Sequence, residues 1–588
     1  MWKRFLEGVF ARPSSSSHNR RPRRNRGLSL EVLEDRLTPS GFAISAGGLG
    51  KDGGEAVAAG PHGAVYVAGK FLMTSPDAPS GAFVAKYAPG GWIQHIHGDT
   101  TDNATAIAVD AKGNAYVTGV FRGMADFGNG QTLTSASSTI YNGFIEKLDT
   151  NGNVLWVTEI ASPVGAGGYG IALDGHANVY TTGSLNSSAD ILGHHLQNPM
   201  NTSQGTSFLL KQDTLGNFIW VQQFGIPDPT SSYGDLSSAN AIAVNSAGSA
   251  IYVGGAFRGG NVQFGTNVNT PHSLSAKGTT DIFAEKFDAL GNTVWAVRAG
   301  STTILEGSPE SANGIALDSN GTPTITGSFD NTSDFGNLQL TGGNEPNTFV
   351  AKLDPTNGDF LEAVAFADAG LEVGTAIAAD QMGNLYATGF FENTATFGPL
   401  HLTTRGDSDV YVAKLDANLN VLCVTQLGGE GRDRGFGVAV DKLGFVDVTG
   451  SFNQSGKFLN NPPVTLTSAG DTDVFVTRMR MDCSPTHVSV LDLRLQGDTA
   501  NPFVITDDRH WGINVAQGNP ATVALHDDPF RPNPVKVSMG DPNELDDIRA
   551  SIVLGGPDSD SLDLMLHHLH HARSKHSGGG TNFHDPEY

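Results

Sequence analysis

Ala106-Ile-Ala-Val-Asp110-Ala-Lys-Gly-Asn-Ala115-Tyr-Val-Thr-Gly119 is the stretch that decides the fold. Small and apolar residues flank a turn made of Asp110, Gly113 and Asn114, so it reads as two antiparallel strands with a tight connection. The pair recurs. Equivalents of its first strand begin near Val57, Ile171, Ile242, Ile315, Ile377 and Val438, and the successive spacings from Val57 are 50, 64, 71, 73, 62 and 61 residues. The second strand ends in glycine at Gly119, Gly183, Gly327, Gly389 and Gly450. Glycine there suits a tight turn, a bulge or a close backbone approach.

A third strand follows a variable loop, as in Phe144-Ile-Glu-Lys-Leu-Asp149 and Tyr411-Val-Ala-Lys-Leu-Asp416. A fourth carries Trp92, Trp156, Trp220 and Trp295, with Glu362 and Cys423 at that position in the fifth and sixth repeats. Four short strands per ~60 residues, repeated seven times, is the arithmetic of a propeller. The expected fold is therefore all-β: a seven-bladed β-propeller of four-stranded antiparallel blades over residues 41–482. The seventh repeat lacks a fourth strand, because Met481-Asp-Cys-Ser-Pro485 interrupts it. Gly41-Phe-Ala-Ile-Ser-Ala-Gly-Gly48 resembles the missing one, so it is predicted to close the ring and remove an open edge.

Composition agrees. Glycine numbers 74 of 588 residues, charged residues are 16%, and the formal net charge is −24. The first 40 residues hold nine Lys/Arg against four Asp/Glu, a net +5 that leaves −29 on the remainder. That remainder does not suit nucleic acid, which needs clustered basic residues. No apolar run is long enough for a membrane-spanning helix, and two cysteines cannot build a disulfide framework. A buried thiol at Cys423 is the expectation, with a bond to Cys483 as the alternative.

Residues 1–40, with a serine tract and five arginines between Arg20 and Arg26, read as a basic, disordered leader for export or targeting. Residues 483–556 read as a β-rich extension, either an independent domain or strands draped on the propeller. Residues 557–588 read as a flexible, His-rich tail. On a helix whose apolar face would hold Leu562, Met565, Leu566 and Leu569, His567 and His571 would stand at i and i+4, a spacing suited to Zn²⁺ or Ni²⁺.

The pattern Ile-Ala-x-Asp, Gly-Asn-x-Tyr-Val-Thr-Gly-x-Phe, Asp-Phe-Gly, Phe-x-x-Lys-Leu-Asp and Gly-Asn-x-x-Trp resembles the bacterial seven-bladed β-propeller repeat known as the SBBP type. Leu30-Glu-Val-Leu-Glu-Asp-Arg36 with Pro39-Ser40 resembles an N-terminal motif of planctomycete extracellular proteins. These resemblances imply an exported scaffold or binding protein, extracellular or at the cell surface, without a common catalytic residue set.

Several strings fit chemistry less well than structure. Asp126-Phe-Gly128 and Asp334-Phe-Gly336 match a kinase tripeptide but recur as Gln263-Phe-Gly265 and Thr396-Phe-Gly398, so the phenylalanine reads as a loop anchor. Gly165-Ala-Gly-Gly-Tyr-Gly170 matches a dinucleotide fingerprint, but a strand follows instead of a helix, and the glycines read as an interblade turn. Asp149-Thr-Asn-Gly-Asn153 has calcium-loop oxygens but lacks the glycine and glutamate such a loop needs, so it reads as an Asx turn. Asp110, Asp174, Asp318, Asp380 and Asp441 recur at one repeat position and read as structural, with weak calcium binding as the alternative. Trp156, Trp220 and Trp295 are expected to staple neighbouring blades.

The chain implies no cofactor. It reads as a monomeric, non-catalytic scaffold that binds protein or glycan through its axial funnel and its loops, such as 186–206 and 258–279. The alternative is a polysaccharide lyase or hydrolase with unique residues at the funnel, and Arg432, Asp433 and Arg434 are the repeat-breaking cluster that would supply an axial site.

Overall fold

The computed structural model describes residues 41–483, apart from 73–80, 99–101, 198–204, 228–235, 266–271, 302–309, 344, 369 and 461–462, and the backbone of seven short strands between Arg494 and Met565. The leader lies outside the described residues. Among the described residues there is one 3₁₀ turn, Pro61–Gly63, and no α-helix; none is therefore long and apolar enough to cross a membrane.

The second blade shows the plan. Asn103–Val109, Ala115–Arg122, Tyr141–Leu148 and Val154–Ala161 pair antiparallel in that order, from the inside of the ring outwards. The seven innermost strands are Gly53–Ala59, Asn103–Val109, Ala166–Leu173, Leu236–Val244, Ser311–Leu317, Glu372–Ala379 and Arg434–Val440. Each packs on the next, and the last packs back on the first, so the ring is closed. The seventh blade takes Phe42–Ala46 as its outermost strand, with Phe42 opposite Arg478 and Ala46 opposite Val474. The predicted propeller and its closure are both present.

Each innermost strand carries a β-bulge, and the recurring glycine of the second strand faces it. Gly119 pairs with Ala104, beside the bulge at Thr105. A Cβ on Gly119 would lie 2.0 Å from the Asn103 carbonyl oxygen, and at Gly183, Gly327, Gly389 and Gly450 the approach would be 1.8–1.9 Å. The bulged backbone leaves no room for any side chain there, which is why glycine recurs at this position. The second strands do not end at it, as the sequence suggests, but run on two or three residues further, to Arg122, Leu185, Phe329, Phe391 and Phe452.

Neighbouring blades are stapled by the third and fourth strands. Trp156 Nε1 donates to the Thr214 carbonyl of the next blade at 3.3 Å, and Lys147 Nζ reaches the same oxygen at 2.6 Å. Lys147 also lies 4.8 Å from the centre of the Tyr116 ring. Trp92 with Lys86 on Thr150, and Trp295 with Lys286 on Pro355, repeat the arrangement. Trp220 donates to Ala289 in the same way.

The long loops between second and third strands are partly sheet. Met124–Gly128 and Gln131–Thr134 form a hairpin that extends the outermost strand of the first blade, Trp92–Gly98. Ala189–Ile191 and His194–Leu196 extend the second blade, and Ser455–Asn460 with Pro463–Thr467 extends the sixth. Phe127, Phe264, Phe335, Phe397 and Phe458 are fully buried beneath these loops, each contributing about 1.5–3 kcal/mol of apolar burial. Within loop 186–206, read from sequence as a binding surface, the segment 189–196 is thus part of the sheet that extends the second blade.

Two sequence readings are corrected. Cys423 is not a free thiol: it is disulfide-bonded to Cys483, tying the outermost strand of the sixth blade to the segment that follows the seventh. Gly167, Gly168 and Gly170 lie within the innermost strand Ala166–Leu173 and not in an interblade turn. A Cβ on Gly168 would meet Thr118 Oγ1 at 1.9 Å, so close packing between blades is what selects glycine there.

Residues beyond Ser484 form a separate compact unit. Arg494–Gln496, Val504–Thr506 and Gly512–Asn514 make a three-stranded antiparallel sheet, and Thr522–Val523, Val535–Met539, Arg549–Val553 and Ser561–Met565 a four-stranded one. The helix read through Leu562 and Met565 is corrected as well, because Ser561-Leu-Asp-Leu-Met565 alternates with a period of two and forms a strand. His567 and His571 lie outside the described residues.

Candidate functional site

The bulges do more than demand glycine. Each sets one residue of the innermost strand out of register, and around the ring these are Glu55, Thr105, Tyr169, Asn240, Asn313, Thr375 and Phe436. The positions flanking them stay small or apolar in every blade, whereas these seven vary. Four join adjacent blades. Thr105 Oγ1 donates to Gly168 O at 2.7 Å, Asn240 Nδ2 to Ser311 Oγ at 2.9 Å, Asn313 Nδ2 to Gly374 O at 2.9 Å and Thr375 Oγ1 to Gly435 O at 2.9 Å. The others differ in kind. Glu55 pairs with Lys70 at 2.7 Å, Tyr169 accepts from Ser184, and Phe436 is apolar. Periodicity alone could not reveal this ring, because a bulge breaks the alternation by one residue without leaving a fixed residue type behind.

A second set of residues marks the entrances to the innermost strands. Asp52, Asp102, Glu310 and Asp433 each accept a backbone N–H from the end of their own blade's second strand, at Leu72, Arg122, Asp330 and Asn453. Three of them also accept one from the preceding blade's outermost segment: Gly48 at 2.7 Å, Ser301 at 2.8 Å and Gly429 at 2.7 Å. Three junctions add a second carboxylate from the start of a third strand, giving Asp52 with Asp473, Glu310 with Asp281 and Asp433 with Asp409. Burial pushes the Asp433 carboxyl up to about 7, and Asp409 beside it adds to the rise against the Gly429 hydrogen bond. Burial likewise lifts Glu310 to about 7 and Asp473 to about 6.

These contacts relocate the residues singled out from sequence. Arg432, Asp433 and Arg434 do not converge. Asp433 is fully buried at the blade junction, the Arg434 guanidinium lies 4.4 Å from the centre of the Phe390 ring, and exposed Arg432 donates its backbone N–H to Asn453 at 2.5 Å. Asp433 belongs to the junction set and does not break the repeat: Asp52, Asp102 and Glu310 stand, as it does, five residues before the repeat positions Val57, Ile107, Ile315 and Val438, and the series is masked by Ala166 and Ser237 in the third and fourth blades and by the Glu at 310.

Asp110 Oδ1 accepts the N–H groups of Lys112 and Asn114, both at 2.9 Å, while Oδ2 accepts Asn114 Nδ2 at 2.7 Å. Asp174 and Asp380 repeat all three bonds, and Asp318 and Asp441 the backbone pair. In Asp110, Asp174 and Asp380 both carboxylate oxygens serve their own turns, whereas Asp318 Oδ2 pairs with Lys352 at 3.6 Å and Asp441 Oδ2 with Arg478. At Asp174, burial pushes the pKa up, but these donors outweigh it and hold the carboxyl below its usual value. Among the described residues no group of three or more His, Cys, Asp or Glu is placed to hold a metal.

No protein-family model matches the chain. It is 24% identical over 445 residues to an uncharacterized WD repeat-containing protein of Acanthamoeba polyphaga mimivirus, a match that covers 63% of this chain and 31% of the viral one. The chain therefore spans about a third of that relative's length. Among solved structures it is similar to a gluconolactonase from Xanthomonas campestris, at 12% identity and a TM-score of 0.28 over 75% of this chain and 99% of that one. It is also similar to a member of the DUF4221 family from Bacteroides vulgatus, at 12% identity and a TM-score of 0.27 over 63% of this chain and 90% of the other.

Proposed function

We propose that this chain is an exported or cell-surface propeller of the SBBP type, acting as a monomeric, non-catalytic scaffold for a protein or glycan partner. One observation carries the reading. The framework residues (turn Asp, second-strand Gly facing the bulge, stapling Lys and Trp) recur from blade to blade, while the bulge residues of the innermost strands do not. A surface free to vary on a constant support is the arrangement of a binding face. The Cys423–Cys483 bond supports an oxidising compartment, and the net charge of −24 argues against phosphate-rich partners.

The test is a binding screen of the full chain on a glycan array and against a surface-exposed proteome, run beside a Glu55→Ala/Phe436→Ala variant. Loss of a specific partner with an unchanged melting temperature supports the reading. A chain that binds nothing on either screen overturns it.

A further inference from the structure

We propose that a cleft between the second and third blades is a binding site for a neutral saccharide. The inference rests on the scaffold reading above and names one ligand class for it.

The cleft has a volume of about 300 Å³, at the small end of the range for small-molecule sites, about 300–1,000 Å³. It opens where the second and third blades begin their innermost strands. Its walls include Asn103, Thr139, Tyr141, Val164, Tyr169 and Asn186, and none of its twelve lining residues carries a charge. That composition disfavours phosphates, carboxylates and ammonium groups, which need a counter-charge once desolvated. Two tyrosines set among amides and hydroxyls instead match a sugar, whose ring presents apolar C–H faces and a rim of hydroxyls.

The walls are held in place before any ligand arrives. Tyr169 is the bulge residue of its strand, and its ring lies back across Gly167, where a Cβ would stand 2.8 Å from the ring. Ser184 Oγ donates to the Tyr169 hydroxyl at 3.3 Å, so the phenol proton is left for an outside acceptor. The Arg122 guanidinium lies 3.7 Å from the centre of the Tyr141 ring and fixes that ring from one side. Asn186 donates its backbone N–H to Gly165 O at 2.8 Å, and its side chain lies over Gly165. Asn103 also lines the cleft, and its Oδ1 is buried without a hydrogen-bond partner.

The other bulge positions hold Glu, Thr, Asn and Phe, so the fold accepts varied side chains there and Tyr169 is open to substitution. The experiment uses saturation-transfer NMR and calorimetry on the full chain. The probes are cellobiose, maltose, lactose and N,N′-diacetylchitobiose.

At least one probe is expected to bind. Tyr169→Ala and Asn103→Ala should each weaken it roughly tenfold, equivalent to about 1.4 kcal/mol, with the melting temperature kept. Met382→Ala, exposed in the turn that follows the innermost strand of the sixth blade, should leave it unchanged. Binding that survives Tyr169→Ala overturns this site while leaving the scaffold reading in place. Failure of all four probes also overturns it, and the scaffold reading then stands or falls on its own partner screen.

Discussion

Replacing Gly216 with alanine drives a methyl group into the joint between the second and third blades. Gly216 sits in the turn after the third strand of the third blade with φ +83, and a Cβ there would lie 2.8 Å from Trp156 Cδ2. Two costs add. Left-handed backbone costs a non-glycine residue roughly 1–2 kcal/mol. Carbon atoms prefer separations of about 3.5–4.0 Å, so the indole must retreat, at an overpacking cost of about 1–3 kcal/mol. The retreat also strains the 3.3 Å bond from Trp156 Nε1 to Thr214 O, worth about 1 kcal/mol net.

Gly321 provides the control. Its φ is +79, but nothing lies within 4 Å of where its Cβ would stand. Gly321→Ala should therefore cost only the backbone part, about 1–2 kcal/mol, while Gly216→Ala should cost about 3–6 kcal/mol once the strained hydrogen bond is included. Urea unfolding followed by tryptophan fluorescence reads the difference as a shift in midpoint at constant m-value. Trp156→Leu added to Gly216→Ala should recover part of the loss, a favourable coupling between the two sites. Equal losses at Gly216 and Gly321, or no recovery with Trp156→Leu, would refute the staple.

Three further outcomes are expected. Cys483→Ser, or reduction of the wild type, should lower unfolding stability by about 2–4 kcal/mol, since the bond closes a 60-residue separation; identical urea midpoints with and without reductant would remove that role. Deleting residues 41–48 takes away the five-residue strand paired with Asp473–Arg480 and should lower the melting temperature, whereas an unchanged melt would contradict ring closure.

The third concerns pH. Asp433, raised to about 7 by burial and by Asp409, keeps its proton in the fold where the unfolded chain has lost it. Stability is therefore full below the ordinary aspartate range and falls as pH rises from about 4 towards about 7. Asp433→Asn should flatten that slope in pH-dependent urea unfolding. A variant with the wild-type slope would show that the proton resides elsewhere.

The framework was legible in the sequence because its causes are local. Asp110 and Asn114 close their turn within five residues, and Trp156 lies at a fixed step from Lys147. The recurring glycines of the second strands are legible as places for a turn, a bulge or a close approach, but not which of these, because the partner, a bulge in the facing strand, is non-local. The junction acids keep a constant five-residue offset from the inner-strand repeat, but they were less legible because the position is Glu at 310 and is held by Ala166 and Ser237 in the third and fourth blades. The disulfide stands in the sequence only as the alternative to a buried thiol. Cys423 stands at the tryptophan position of its repeat, which reads as packing, and nothing near either cysteine signals that the sixth blade reaches the segment after the seventh. The cleft between Tyr141 and Tyr169 was least legible, since its walls come from two blades and a bulge.

The clasp of the seventh blade also has a consequence in time. Thr472 Oγ1 bonds to the Asp52 carbonyl across 420 residues of chain, and Phe42–Ala46 finds its mate only once Asp473–Arg480 exists. During synthesis the first strand of the ring must wait for the ring's last, while six blades already have their partners. Folding of this ring thus ends on its longest-range contact, the slowest kind to form. The same geometry brings the two ends of the ring into one sheet, so a chain joined there and reopened at the turn near Gly321 should wind into the same circle.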